Sequence, residues 1–164
     1  RWLVAKQDVY HINTDFITVG GGSAGANTAK GLALSDLDHF TTEISMEDAP
    51  TLSTTNLDQS YQVQTIVDFW GGPSVSYGFE AVYGERIYDS KDPVLYKAHG
   101  TNDQTVPLTF ALELQEVYDS IGVTMKLDTL IGIGHGNYHA TLDGKRLEEL
   151  AFDFIVEQQG LEVQ

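Results

Sequence analysis

Phe16-Ile17-Thr18-Val19-Gly20-Gly21-Gly22-Ser23-Ala24-Gly25-Ala26-Asn27-Thr28-Ala29-Lys30 passes from an apolar, strand-like run, through Gly-x-Ser-x-Gly at 21–25, into a helix-like run. Strand, sharp turn, helix is the context in which that pattern becomes a nucleophile elbow. The glycines have a steric reason. A serine on a very tight turn needs small neighbours, so that the backbone can bend and the helix can lie close to the strand. Such a serine is held in the open, where a base can reach it. It also stands at a helix N-terminus, whose N–H groups can steady a developing oxyanion. The same letters also describe a Gly-rich turn with an incidental serine, so the pattern needs support from the rest of the chain.

Outward from this turn, the sequence alternates between strand and helix signals. Residues 1–10 read as helix. A first strand is expected at about Asp15–Val19, a second at Thr65–Trp70, a third at Val94–Ala98 ending at His99-Gly100, and a fourth at Lys126–Ile133. Their near-continuous apolar character fits parallel strands buried on both faces. Helices are expected from Ser23 to about Ser35, over Leu108–Ile121 and over Leu142–Gln159. In the last, Leu147, Leu150, Ala151, Phe154 and Ile155 recur at amphipathic spacing. In the middle one, Leu108, Ala111, Leu112, Leu114 and Val117 suit one packed face. Residues 36–60 read as a loop with short helical turns, and 74–92 as an irregular, tyrosine-rich excursion. The alternation implies an α/β fold with a mostly parallel sheet of about four strands and flanking helices.

Ligands of open parallel sheets bind beyond the carboxyl ends of the strands. There the first strand delivers Ser23, the second Trp70-Gly71-Gly72, the third His99-Gly100-Thr101-Asn102-Asp103 and the fourth Gly134-His135-Gly136. Hydroxyl, carboxylate and imidazole thus reach one sheet edge, in the chain order Ser…Asp…His. Rival roles exist for each. Asp103 also suits a turn cap in Asn102–Pro107. His139 competes with His135 but is expected at the start of the closing helix, and His99 reads as a packed histidine. Asp128 lies within the fourth strand, and Asp92 precedes Pro93 as a turn former. His135–His139 lacks the Glu of a zinc-binding H-E-x-x-H helix, so no metal and no cofactor are expected.

Gly-Gly-Gly-Ser-Ala-Gly-Ala at 20–26, His-Gly-Thr-Asn-Asp-Gln-Thr-Val-Pro at 99–107 and Gly-Ile-Gly-His-Gly at 132–136 together resemble the carboxylesterase branch of the α/β-hydrolases, of the hormone-sensitive-lipase and dienelactone-hydrolase-like type. The resemblance covers essentially all of residues 1–164, read as one catalytic region. It implies hydrolysis of carboxylic esters, with Ser23 as nucleophile, Asp103 as acid and His135 as base. Gly22 and Ala24 form the elbow, and the Ala24 N–H is one oxyanion donor. The family also carries a His-Gly-Gly loop and about four strands ahead of the nucleophile. The sequence here reads as starting after them, inside a domain. The resemblance therefore implies that a second chain, another copy or an N-terminal segment completes the sheet beside the nucleophile strand. Two other functions remain open: a peptidase-like amide hydrolase with the same three residues, and an inactive hydrolase fragment acting as a binding module.

Composition narrows the partners. The 164 residues hold 24 acidic and 9 basic side chains, a net charge of −15 that repels phosphate backbones and argues against nucleic-acid binding. No cysteine is present, which removes disulfides and thiolate catalysis. No apolar run is long enough to span a membrane. No signal-peptide pattern is visible, which favours the cytoplasm. Trp70 and Gly71, with the aromatic residues that follow, are candidates for a substrate pocket, as is plain packing. With no long helical insertion between the second and third strands, small soluble esters are expected as substrates rather than long-chain lipids.

Overall fold

The computed structural model describes residues 1–37, 39 and 55–163. Two single-turn helices, α1 (Trp2–Ala5) and α2 (Gln7–Tyr10), precede β1 (Thr18–Gly22) and α3 (Ala24–Leu34). There follow β2 (Thr65–Phe69), α4 (Ser74–Tyr83), β3 (Val94–Gly100), α5 (Thr109–Ile121) and β4 (Met125–Leu130). A short hairpin, β5 (Thr141–Leu142) with β6 (Lys145–Arg146), leads into α6 (Leu147–Gln159). Strands β1 to β4 form one parallel sheet in sequential order. The expected loop over 36–60 lies largely outside the described residues.

Period-two alternation along the strands builds two cores. Ile66 and Leu95 point to one face and pack with Leu34, Phe79, Leu114 and Tyr118. Their neighbours Val67 and Tyr96 point to the other and pack with Leu147, Leu150, Ala151 and Phe154 of α6. The sheet is therefore covered on both faces, as its continuous apolar strands require. The α6 stripe matches the sequence reading. On α5 the buried positions are Ala111, Leu114 and Tyr118, spaced i, i+3 and i+7, and Leu112 turns outward.

Several elements differ from the sequence expectation, among them the helix over 1–10, which breaks at Lys6 into two single turns. β1 begins at Thr18, because Thr14–Phe16 form a 3₁₀ turn capped by Asn13, and it continues through the glycines, which pair with Val67, Asp68 and Phe69. β4 ends at Leu130, before a turn at Gly132 with φ +75°. The 74–92 excursion contains α4, which starts after Pro73 and stops at Gly84 (φ +74°). Its core positions Val75, Phe79 and Tyr83 are spaced i, i+4 and i+8, a helical signal that the tyrosines and Gly78 obscured. The closing helix begins at Leu147 instead of Leu142. Asp143 (φ +52°) and Gly144 (φ +81°) make the two-residue turn of a hairpin first. The Arg146 N–H then donates to Glu149 Oε2 (2.7 Å) and closes the helix start.

Candidate active site

Ser23 sits between the last residue of β1 and the first of α3, with φ +54° and ψ −118°. That backbone region is costly for a residue with a Cβ, on the order of 1–3 kcal/mol, and is kept only where the surroundings enforce it. Here the Ser23 N–H donates to Phe69 O (2.9 Å) and the Asn27 N–H donates to Ser23 O (3.2 Å). The neighbouring glycines are not equivalent. A Cβ on Gly21 would lie 2.6 Å from the carbonyl carbon of Gly25, and a Cβ on Gly20 would lie 2.8 Å from Val67 Cβ. A Cβ on Gly25 meets nothing within 4 Å. Gly25→Ala is thus expected to leave stability unchanged or raise it by up to about 1 kcal/mol, from helix propensity. Gly21→Ala is expected to lower it by several-fold more than that gain, since backbone must move. Thermal melts of the two variants side by side check the contrast.

Asp103 and His135 arrive from the ends of β3 and β4, and backbone contacts fasten those two ends together. The Thr101 N–H donates to Leu130 O (3.0 Å), the Asn102 N–H to Ile133 O (2.9 Å) and the Gly132 N–H to Thr101 Oγ1 (2.8 Å). A Cβ on Gly100 would collide with the Ile133 carbonyl oxygen, which is the reason for glycine after His99. Within this clasp His135 Nδ1 is 2.7 Å from Asp103 Oδ2, and His135 Nε2 is 2.9 Å from Ser23 Oγ. An ionised carboxylate only accepts, so Nδ1–H donates to Asp103. That leaves Nε2 of the neutral ring to accept the Ser23 hydroxyl.

Asp103 uses its two carboxylate oxygens differently. Its Oδ1 accepts the N–H groups of Thr105 (2.9 Å) and Val106 (2.8 Å), which makes it a turn cap, and its Oδ2 faces His135. Burial works against its charge, but the Val106 N–H, His135 and the Thr105 N–H outweigh it and hold the carboxyl below its ordinary range. His99 is buried. Its Nε2–H donates to Val106 O (2.8 Å) and lies 3.4 Å from Asp103 Oδ2, so it packs against Asp103, whereas the Ser23 hydroxyl is paired with His135. Burial lowers its pKa. His139 is not at a helix start. It lies in the turn before the hairpin, with its N–H donated to Asn137 Oδ1 (3.1 Å).

Trp70 and Gly71 fall on different sides of the question of a pocket. Trp70 is buried with φ +45°, and its ring lies 6.4 Å from the His135 ring. Gly71 donates its N–H to Asp68 Oδ1 (2.7 Å), and its carbonyl accepts from Lys97 Nζ (2.8 Å), so neither backbone group is left for a substrate. It belongs to a charge cluster. Asp68 Oδ1 is 2.8 Å from Lys97 Nζ and Oδ2 is 2.8 Å from Lys30 Nζ, and Lys30 also donates to Gly72 O (2.9 Å). All three side chains are buried. Burial alone would raise Asp68, yet the two ammonium groups hold it at about 2, while burial pushes Lys97 down to about 8. The cluster pins the turn that carries Trp70. The sequence reading passed over it, although a lone Asp in Thr65–Phe69 and a lone Lys in Val94–Ala98, both inside apolar strands, signal a buried pair.

Among the described residues no group of three His, Asp or Glu is placed to hold a metal ion, and no helix is long and apolar enough to cross a membrane.

A four-stranded parallel sheet flanked by helices, with a strained serine turn after its first strand, a carboxylate after its third and an imidazole after its fourth, is the α/β-hydrolase fold. The chain belongs to the BD-FAE family, whose model matches residues 1–83. Among solved structures it is similar to a butyrate-bound thermophilic esterase from Thermogutta terrifontis, with TM-score 0.72, 19% identity, and coverage of 99% of this chain and 64% of that one. A truncated form of a carbohydrate esterase from gut microbiota matches with TM-score 0.69 and 20% identity over 98% of this chain and 65% of that one. An acetyl ester-xyloside bifunctional hydrolase from Caldicellulosiruptor lactoaceticus matches with TM-score 0.67 and 20% identity, over 97% of this chain and 62% of that one. The chain thus spans just under two thirds of the length of these structures. No match was found among curated protein sequences.

Proposed function

We propose that this chain carries the acyl-transfer residues of a carboxylic ester hydrolase. One observation carries the reading: the unbroken line from Ser23 Oγ through His135 to Asp103, with 2.9 and 2.7 Å contacts. Ser23 Oγ attacks the ester carbonyl carbon while His135 Nε2 takes its proton. Asp103 keeps the ring in the required tautomer and stabilises the imidazolium. The tetrahedral oxyanion faces the first turn of α3, where the Ala24 N–H is one of the donors that a helix leaves without an internal partner. The imidazolium hands its proton to the leaving alcohol. Water, activated by the same base, then releases the acyl group as the acid. The structural neighbours, an esterase with butyrate bound and an acetyl ester-xyloside bifunctional hydrolase, support short acyl groups. Covalent labelling of Ser23 by a fluorophosphonate tests the reading.

The same reading gives the outer edge of β1 a partner, either a further segment of the polypeptide or a second chain. Ile17 and Ser23 both bond towards β2. By strict alternation Val19 and Gly21 do so too, and Thr18, Gly20 and Gly22 present their N–H and C=O groups outward. Among the described residues no strand pairs with that side. Leu3, Phe16 and Leu32 are exposed and line one cavity with Thr18 and Val19. A bare edge of a buried-type strand, bordered by apolar side chains, is a template for strand addition. The 164-residue chain alone is expected to self-associate. Light scattering that shows a stable monomer, with exchange-protected amides at Thr18 and Gly20, would overturn this.

A further inference from the structure

Two aromatic side chains beside the imidazole take no part in the acyl-transfer steps. Trp70 is buried at the end of β2, and Tyr138, three residues after His135, is exposed. Their ring centroids are 4.7 Å apart and their planes cross at 77°. Both reach the nucleophile turn. A Cβ on Gly22 would collide with Tyr138 Oη and lie 3.2 Å from Trp70 Nε1. Gly22 is the variable position of Gly-x-Ser-x-Gly, so the motif does not ask for glycine there; the two aromatic side chains do. Nor does Tyr138 ride on a loose loop. Gly136 turns the chain at φ +76°, and the Tyr138 N–H donates to Gly136 O (3.1 Å).

We propose that Tyr138, backed by Trp70, is a specificity-determining residue that forms the wall for the alcohol part of the ester. The proposal rests on the serine-hydrolase reading above. In that reading His135 Nε2 must pass its proton to the leaving oxygen, so the alcohol lies next to the imidazole. The edge-on ring of Trp70 and the exposed ring of Tyr138 occupy that flank, at Gly22, immediately before the nucleophile. An aromatic face of this kind favours a flat, ring-bearing alcohol over a short linear one.

The position has a kinetic consequence. A wall for the alcohol acts before the alcohol departs and has no effect on the acyl-enzyme left behind. Two ester series in the full chain separate the steps: acetates of ethanol and benzyl alcohol, and p-nitrophenyl esters from acetate to hexanoate. Tyr138→Ala is expected to lower kcat/KM for benzyl acetate relative to ethyl acetate by roughly tenfold, within the range typical of one lost apolar pocket contact. The acyl-chain preference and the deacylation rate should stay at the wild-type level. Tyr138→Phe keeps the ring and should restore the wild-type ratio, which also guards against a general folding defect in the alanine variant. An unchanged benzyl-to-ethyl ratio, an equal change in the acetate-to-hexanoate preference, or a Phe variant that behaves like Ala would each overturn the assignment. A wild-type chain that hydrolyses none of these esters and takes no fluorophosphonate on Ser23 is a different result. It refutes the triad reading, and the alcohol wall falls with it.

Discussion

Ser23→Ala is expected to remove both covalent labelling by a fluorophosphonate and turnover of p-nitrophenyl acetate, the latter by roughly four to six orders of magnitude relative to the unmodified protein. The expectation follows from the proposed acyl transfer. Among the described residues the Ser23 hydroxyl is the group that bonds His135 Nε2 (2.9 Å), so the proposed attack loses its nucleophile when that oxygen is removed. His135→Ala should cost nearly as much as Ser23→Ala, and the double variant hardly more, because the two act as a unit. Asp103→Asn should cost about ten-thousandfold in turnover, since an amide at this position can donate to Nδ1 and favour the wrong tautomer. Asp103 also caps the Thr105–Val106 turn, so its variant must be compared by thermal melt with the other two. Residual labelling in Ser23→Ala, or activity equal to wild type, would remove the nucleophile assignment. Activity that depends on a second component filling the outer edge of β1 would leave the serine assignment intact and place the remaining oxyanion donors on that component.

Asp68→Ala is expected to have the largest effect on stability, about 3–5 kcal/mol, the usual cost of removing one partner from a buried ion pair. For a domain whose whole stability is typically 5–15 kcal/mol, that amounts to a large part of the total. Lys30 and Lys97 would be left as two buried ammonium groups around an empty centre, and the Gly71 N–H would lose its acceptor. Replacing all three by apolar residues of similar volume (Asp68→Leu, Lys30→Met, Lys97→Met) should recover most of the loss, because the cost comes from the uncompensated charge and not from the volume. Urea midpoints for the single and triple variants check this. The acid limb gives an independent test. The Asp68 carboxyl is held at about 2 in the folded state against an ordinary value of 3.8. Between those values the unfolded chain binds a proton that the folded chain does not. The stabilisation from Asp68 is therefore complete above about pH 4 and is lost as the pH falls towards 2. Asp68→Ala should flatten that part of the profile. A single variant as stable as wild type, or an unchanged acid limb, would show that the cluster contributes nothing net.

Local chemistry made much of this protein readable in advance. Ser23 could be picked out because a tight strand-to-helix turn leaves a local imprint of glycines. Asp103 and His135 followed because each is punctuated by turn residues just past an apolar strand. The helix face of Leu147, Leu150, Ala151 and Phe154 was legible from its spacing, which needs no knowledge of what it packs against. Errors arose where two short-range signals competed. Asp143-Gly144 is a strong hairpin turn, but it sat inside a stretch with helical composition, and the helix reading extended over it. α4 was hidden because tyrosines and a glycine weakened its pattern, while its core positions needed β2 and β3 to pack against.

Residue types and their order along the chain are sufficient for the parallel sheet and for the identity of the three polar residues at its edge, because these depend on periodicities and turns only a few residues long. Distance is another matter. Only the assembled sheet brings Ser23 within 2.9 Å of a histidine 112 positions away, and it does so because Gly100 lets the Ile133 carbonyl close in and clasp the Asp103 and His135 loops together. Likewise, nothing local relates Gly22 to Tyr138, or Asp68 to Lys30 and Lys97. Those contacts exist through strand register and helix packing, which are set by the burial of side chains far apart in the chain.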